Sequence, residues 1–139
     1  MENPARAELP PRHELLPLLK ARFNPAIIDV LCRLAEQARA TQDEIRVQAE
    51  AMLKRIELPR AGNLLVFSTA ELKAVSAYWR REAFRLVWQR ENWPMGAMNF
   101  EDWQRLADLA DAGPGAIDLP GGVQARRVSK VLQIGSMEK

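Results

Sequence analysis

Apolar residues recur at helical spacing along the first half of the chain. From Asn24-Pro25 onward they are three, four or seven positions apart, at Ile27, Leu31, Leu34, Ala38, Ile45, Met52 and Ile56. This spacing is typical of one face of an α-helix, and an Asn-Pro pair is suited to a helix start. The pattern predicts a long helix to about Glu57. Polar residues 41–44 interrupt the stripe, so two helices separated at that point are the alternative.

The chain then changes character at residues 59–62, where proline and glycine should end the helix. Residues 63–67 form a short apolar run that favours a strand or a strand-like connector. Ser68 followed by Glu71 has the spacing of a capping box. Residues from Leu72 to Trp88 continue with apolar positions at helical spacing, so we predict a third helix there.

A further helix is expected to begin at Asn99, with Trp103, Leu106 and Leu109 facing inward, and to end by residues 113–114. Beyond it, apolar residues lie on both sides of the turn-forming residues 120–122, which predicts a terminal β-hairpin. The whole pattern predicts an α+β fold that is predominantly α-helical. Its parts would be a long connecting helix, a short helical bundle and a C-terminal β-hairpin.

Composition excludes several classes of function. The chain has 139 residues, of which 47% are hydrophobic, and a formal net charge of +2, so one ordinary domain is expected and charge names no partner. The single Cys32 cannot form an internal disulfide, and with the single His13 it supplies too few ligands for a metal cage. We therefore predict no metal site, no catalytic residue and no cofactor bound by this chain itself.

Other sequence signals point to a chain that does not enter a membrane. No apolar run approaches the roughly 20 residues that a membrane span needs, and residues 1–11 lack the apolar core of a signal peptide. A lone cysteine fits a reducing compartment. We expect a cytoplasmic protein with no membrane partner.

One segment stands out by charge. Residues 78–90 carry four arginines against a single acid, and Arg81 and Arg85 share a helix face because they are four positions apart. Guanidinium groups bind phosphates bidentately, and the predicted hairpin adds further cations. The residues predicted to bind a polyanion are Arg80, Arg81, Arg85, Arg126 and Arg127.

Two other interpretations of this segment stay open. The aromatic residues Trp79, Phe84 and Trp88 lie close to the apolar stripe, so they are better suited to a core than to stacking on bases. The arginines themselves could form a solvated face. The long apolar stripe would then indicate a helix-mediated protein–protein interaction module that does not bind nucleic acid.

The first of three motifs is PRHELLPLLKARFNP over residues 11–25. It resembles a stretch of the tRNA(Ile)-lysidine synthetase family, which has a sequence like IRHELLP followed by NP. The second is WRREAFRLVW over residues 79–88, followed by NFEDWQRLADLA over residues 99–110. The third is IDLPGGVQARR over residues 117–127, similar to the family's LPGG hairpin. Their order and spacing match those of the family's middle and substrate-binding region.

The resemblance implies a function for a longer protein. In that family the full enzyme uses ATP and Mg²⁺ to join lysine to the wobble cytidine of isoleucine tRNA. The family's SGGxDS pyrophosphatase loop, expected before Arg12, is absent from this sequence, and residue 11 is proline instead of a branched apolar residue. By position, Arg12 and His13 match a family motif near the active site, but no catalytic role is assigned to them here.

The resemblance also assigns regions and partners. Residues 1–11 would be a disordered or artificial lead, 12–57 a helical linker region, 58–134 the tRNA-binding domain and 135–139 a frayed tail. The expected partners are the anticodon region of isoleucine tRNA and the missing N-terminal pyrophosphatase domain, and a homodimer is possible. The chain would hold tRNA, so that the anticodon reaches the catalytic domain.

Overall fold

The computed structural model describes residues 25–137, in two compact units of residues 25–43 and 44–137. Residues 12–24 of the predicted helical linker region lie outside the described residues. Helix α1 comprises Pro25–Ile56, and it is continuous through residues 41–44, so the alternative of two separate helices is wrong. The units divide inside α1, whereas the sequence predicted a regional boundary at residue 57.

Within residues 25–43, part of the predicted apolar stripe is exposed. Ile27, Leu31 and Leu34 are between 39% and 55% exposed, whereas Ile28 is buried. Helix α1 confirms the predicted helical spacing in this unit, and the exposures show that part of the predicted stripe is not buried.

Residues 44–56 of α1 begin the second unit, which contains every strand that the structure describes. Along the chain, its other elements are β1 (Glu57–Ala61), β2 (Leu64–Ser68), α2 (Thr69–Lys73), α3 (Ala77–Glu91), a 3-10 turn (Met95–Ala97), α4 (Phe100–Asp108), β3 (Gly115–Leu119), β4 (Val123–Val128) and β5 (Val131–Ser136). The predicted α+β class, with helix predominant, is confirmed.

The strands form one antiparallel sheet in the order β1-β2-β5-β4-β3. The predicted hairpin is present as β3 and β4, which pair from Leu119 and Val123 outward. It is, however, only part of a larger sheet, because β5 pairs with β4 on one side and with the distant β2 on the other. Where a frayed tail was predicted to begin, β5 continues to Ser136.

Strand β1 occupies the segment that was expected only to break the helix. It lies at the edge of the sheet, and its pairing with β2 shifts between Leu58 and Ala61. Proline is tolerated at an edge or a bulge, because no ladder hydrogen bond is needed from its nitrogen there. Pro59 is therefore compatible with a strand.

The predicted third helix is divided in two. Ser68 caps α2, as expected, by accepting a hydrogen bond from the backbone N–H of Glu71. The helix then ends at Lys73, and α3 begins after Ser76, which has extended backbone geometry. Helical periodicity runs on through this break, so the sequence pattern did not reveal it.

One face of the sheet and the helices of the second unit enclose the core. Side chains from β2, β4 and β5 pack against α3, α4 and the end of α1. The largest fully buried residues are Trp88, Phe67, Phe84, Ile56, Leu65, Leu72, Leu106, Leu132, Ile134, Val87 and Val123. Burying apolar side chains of this size stabilises the fold by about 1.5–3 kcal/mol each before the entropy cost.

Candidate nucleic-acid interface

Helices α3 and α4 position the arginine-rich segment. Helix α4 is held at its start by a reciprocal capping box, in which the Asn99 side chain accepts from the Asp102 N–H and the Asp102 carboxylate accepts from the Asn99 N–H. Helix α3 ends at Asn92, whose φ of 57° lies in the left-handed region that ends helices. These defined ends fix which α3 side chains lie beside α4.

Arg80 is buried, and all three nitrogens of its guanidinium donate hydrogen bonds to protein groups. It donates to the carbonyl oxygens of Leu72, Val75 and Ala107 at 2.7–3.1 Å, and to both carboxylate oxygens of Asp111 at 2.7 and 3.3 Å. Its side chain is only 6% exposed. Arg80 thus joins the end of α2 to the end of α4, and this geometry favours a structural role over a contact with phosphate.

Arg81 is half-buried and has a neutral partner. One of its terminal nitrogens donates to the side-chain oxygen of Gln104 at 2.6 Å. The guanidinium carbon also lies 5.1 Å from the ring centre of Phe100 and 6.0 Å from that of Tyr78, within the range of cation–π attraction. No carboxylate among the described residues pairs with Arg81, so its charge is not compensated.

Arg85 lies one helical turn beyond Arg81 and is exposed. Its guanidinium carbon is 5.5 Å from the ring centre of the buried Trp103, and no hydrogen bond or ion pair holds it within the part of the chain that the structure describes. Arg81 and Arg85 together form a two-cation surface beside α4, which we call the α3 arginine face.

The two hairpin arginines lie apart from each other. Along β4, Val123 and Ala125 face the core, so the alternation of a strand places the exposed Arg126 on the opposite face of the sheet. It borders a cleft of about 240 Å³ there, together with Gln124 and Gln133. The α3 arginine face is on the helix-covered side, so these cations do not form one patch.

Arg127 has a partly structural environment. Its guanidinium donates to the carbonyl oxygens of Ala110, at 2.7 Å, and of Ala112. These carbonyls follow the end of α4, where a cation offsets the negative end of the helix dipole. Arg127 therefore ties β4 to α4, and only part of its hydrogen-bonding capacity is left for a ligand.

Several other arginines of the second unit are compensated by carboxylates. Arg90 donates to both oxygens of Glu57 at 2.7 and 2.6 Å, and these bonds raise the pKa of Arg90 above its ordinary value. Arg60 and Arg90 both bond to Glu91; burial opposes their effect, yet together they lower the pKa of Glu91. Arg46 and Arg105 pair with acids on their own helices. Uncompensated charge therefore distinguishes the α3 arginine face from these side chains.

Two aromatic residues beside Arg81 were missed by the sequence analysis. Tyr78 is 41% exposed and Phe100 is 63% exposed. Of the aromatic residues that were weighed instead, Phe84 and Trp88 are buried in the core, as the apolar stripe indicated, and Trp79 is half-buried. Phe100 lies three positions before Trp103, so helical spacing would group it with the inward residues Trp103 and Leu106. Its exposure was therefore not predictable from that spacing.

The described residues do not fit ATP and Mg²⁺, which the resemblance assigns to the full enzyme. The paired glycines Gly121 and Gly122 lie in a hairpin turn and not before a helix, where a phosphate-binding loop would need them. Within residues 25–137, no group of three or more histidine, cysteine or acidic side chains is gathered at a possible metal site. No catalytic step is assigned to these residues.

Two predictions remain, one about Arg12 and His13 and one about membrane spans. Arg12 and His13 lie outside the described residues. Among residues 25–137, no helix is long and apolar enough to span a membrane.

Comparison with known proteins supports the sequence resemblance. No protein-family model matches the chain. Over 131 residues, the chain is 33% identical to the tRNA(Ile)-lysidine synthase of Solibacter usitatus (strain Ellin6076). The match covers 89% of this chain but 28% of that relative, so the chain spans little more than a quarter of the relative's length. The predicted resemblance to part of a tRNA(Ile)-lysidine synthetase is confirmed.

Proposed function

We propose that this chain is the tRNA-binding part of a tRNA(Ile)-lysidine synthetase, and that the α3 arginine face is its main contact with the phosphate backbone. The observation that carries the proposal is the pairing of Arg81 and Arg85. They lie one helical turn apart, both guanidinium groups contact aromatic rings, and neither has a carboxylate partner among residues 25–137.

The mechanism at this surface is electrostatic. Guanidinium groups neutralise phosphates and release condensed counterions, which gives affinity and orientation without reading the base sequence. The hydrogen bond that Arg81 donates to Gln104 and the ring contacts restrict Arg81 before tRNA arrives, so less side-chain freedom is lost on binding. The surface would thus grip tRNA while other parts of a longer enzyme recognise the anticodon.

The other arginines predicted to contact tRNA would contribute unequally to binding. Arg126 would provide a separate contact on the outer face of the sheet, and Arg127 a minor one. Arg80 is left out, because its donors already bind Leu72, Val75, Ala107 and Asp111. ATP and Mg²⁺ would be bound by a pyrophosphatase domain of the longer protein. For that longer protein we also expect lysine transfer, a cytoplasmic location and a homodimer.

A binding titration at several salt concentrations tests the proposal. We would measure fluorescence anisotropy of labelled isoleucine tRNA with the wild-type chain and an Arg81→Gln/Arg85→Gln variant. Each phosphate contact contributes roughly −0.7 to −0.9 to the slope of log affinity against log salt. The variant should therefore bind more weakly, with a slope shallower by roughly 1.5.

The matched control is Arg46→Gln/Arg60→Gln, which also removes two positive charges. Both control arginines are exposed and paired with acids, Glu50 and Glu91. This variant should keep the wild-type slope. An equal loss in both variants would mean that net charge, and not the α3 arginine face, governs binding. Salt-insensitive self-association without tRNA binding would favour the competing protein–protein interaction module, which the similarity does not favour.

A further inference from the structure

The exposed aromatic residues of the described chain lie at one place. Eight aromatic residues fall within residues 25–137, and six of them are buried or half-buried. The two exposed ones are Tyr78 and Phe100, and they border the same guanidinium, that of Arg81. An exposed apolar ring is unremarkable alone, but two rings on one uncompensated cation form a surface suited to a ligand with both a flat ring and a negative charge.

Arg81 is held in position by a hydrogen bond that uses only one of its guanidinium N–H groups. Gln104 donates to the Asp108 carboxylate at 2.8 Å, and this bond orients its amide so that the side-chain oxygen accepts from Arg81 at 2.6 Å. A guanidinium has five N–H donors, and this is the one hydrogen bond of the Arg81 side chain within residues 25–137. Several donors are therefore available for the oxygens of a phosphate.

Phe100 does not serve the core. It is the first residue of α4 and is not among the buried residues of that helix. Arg81 carries the positive charge, and Phe100 is the more exposed of the two rings. This arrangement favours a ligand whose phosphate lies at Arg81 and whose ring lies on Phe100.

We propose that Tyr78, Arg81 and Phe100 form a binding site for one unpaired RNA nucleotide. Its base would stack on Phe100, with Tyr78 at the edge of the site, and Arg81 would bind its phosphate. A paired nucleotide does not fit, because both faces of its base are occupied by neighbours in the duplex, whereas unpaired bases stack readily on aromatic side chains. This inference rests on the proposed function and adds that unpaired segments are preferred over duplex.

The test uses the full chain and two RNA probes of equal length. One is single-stranded with a central 2-aminopurine, whose fluorescence is quenched when it stacks, and the other is the same strand in a duplex. Wild-type chain should quench the single strand. Phe100→Ala should abolish the quenching and weaken single-strand binding about tenfold, the size expected for loss of one stacked base, while duplex affinity stays within twofold.

Two control variants separate stacking from general apolar contact. Phe100→Trp should keep the quenching, since it preserves an aromatic face. Val47→Ala shortens another exposed apolar side chain, 59% exposed on α1, and should bind both probes as wild type does. Circular dichroism of each variant checks that the fold is kept, which the exposure of Phe100 favours.

The outcomes distinguish this proposal from the one it rests on. Binding that depends on Arg81 and Arg85 but is insensitive to Phe100→Ala would overturn the nucleotide site and leave the tRNA-binding proposal standing. An equal loss for single strand and duplex would overturn it as well, because stacking would then not be the cause. Absence of any RNA binding by the wild-type chain would overturn both proposals.

Discussion

Replacing Arg80 by methionine separates a structural arginine from a phosphate-binding one. Methionine keeps an unbranched apolar stem and removes the guanidinium. The carbonyl oxygens of Leu72, Val75 and Ala107 then lose a donor, although Leu72 still accepts from the N–H of Val75. A buried carbonyl left unpaired costs about 1–3 kcal/mol.

The stability cost of Arg80→Met depends on which carbonyl oxygens stay buried after they lose their donor. The carbonyl of Val75 is part-buried and contributes about 1 kcal/mol, whereas the buried carbonyl of Ala107 contributes about 1–3 kcal/mol. The pair with Asp111 adds at most about 1 kcal/mol, because that carboxylate is 57% exposed and returns to water. We expect Arg80→Met to lower the free energy of unfolding by about 2–5 kcal/mol, a large share of the 5–15 kcal/mol typical of a domain. Asp111→Asn should cost about 1 kcal/mol or less.

Urea unfolding followed by circular dichroism measures both variants. With a slope of about 1.5 kcal/mol/M, the midpoint should fall by about 2 M for Arg80→Met and by less than 1 M for Asp111→Asn. A midpoint for Arg80→Met within 0.5 M of wild type, by the same slope, would refute the structural interpretation. If that stable variant also bound tRNA poorly, Arg80 would belong with the phosphate contacts after all.

Three further predictions concern the fold that supports the site. The hydrogen bond from Arg80 lowers the pKa of Asp111, and the bond from the Asn99 N–H lowers that of Asp102. Their stabilisation is complete above the ordinary carboxyl pKa of 3.8 and is lost as pH falls from there through the lowered pKa values of the folded state. Urea midpoints should therefore drop as pH falls below 3.8, less steeply in Asp111→Asn, and parallel profiles would contradict this. Asn99→Ala should lower the free energy of unfolding by about 1 kcal/mol, because it removes the side chain that caps α4. Ser76→Ala should cost little, since the Ser76 side chain makes no cap hydrogen bond. Equal decreases in the thermal unfolding temperature of the two variants would refute this difference. Gly121→Ala should destabilise the fold more than Gly62→Ala. Both glycines have positive φ, but only at Gly121 would an added Cβ clash with the Pro94 side chain. Equal urea midpoints for the two variants would contradict that clash.

The sequence was most informative where local rules decide the structure. Helical spacing located α1, α3 and α4, and the capping residue type at Asn99 placed the start of α4 correctly. The glycines of residues 120–122 placed the β3–β4 turn, because positive φ values favour glycine. Each of these signals depends on residues within a few positions of one another.

The sequence was least informative where distant segments meet. Pairing of β5 with β2 joins residues more than sixty positions apart, and no local pattern identifies such a partner. Arg80 and Arg81 are adjacent and look equivalent on a charge count, yet one meets the carbonyl of Ala107 in the interior and the other meets Gln104 at the surface. The alternation of β4 did contain the information that Arg126 faces away from the helices, once Val123 and Ala125 are taken as inward.

The most direct test of the central claim identifies which arginines tRNA covers. The full chain would be treated with phenylglyoxal, which modifies accessible guanidinium groups, with and without isoleucine tRNA, and the modified peptides quantified by mass spectrometry. We predict that tRNA protects Arg81 and Arg85, whereas Arg60, which is exposed beside Glu91, reacts equally in both samples. Protection confined to Arg126 and Arg127, or equal reaction at every arginine in the presence of bound tRNA, would contradict the assignment of the α3 arginine face.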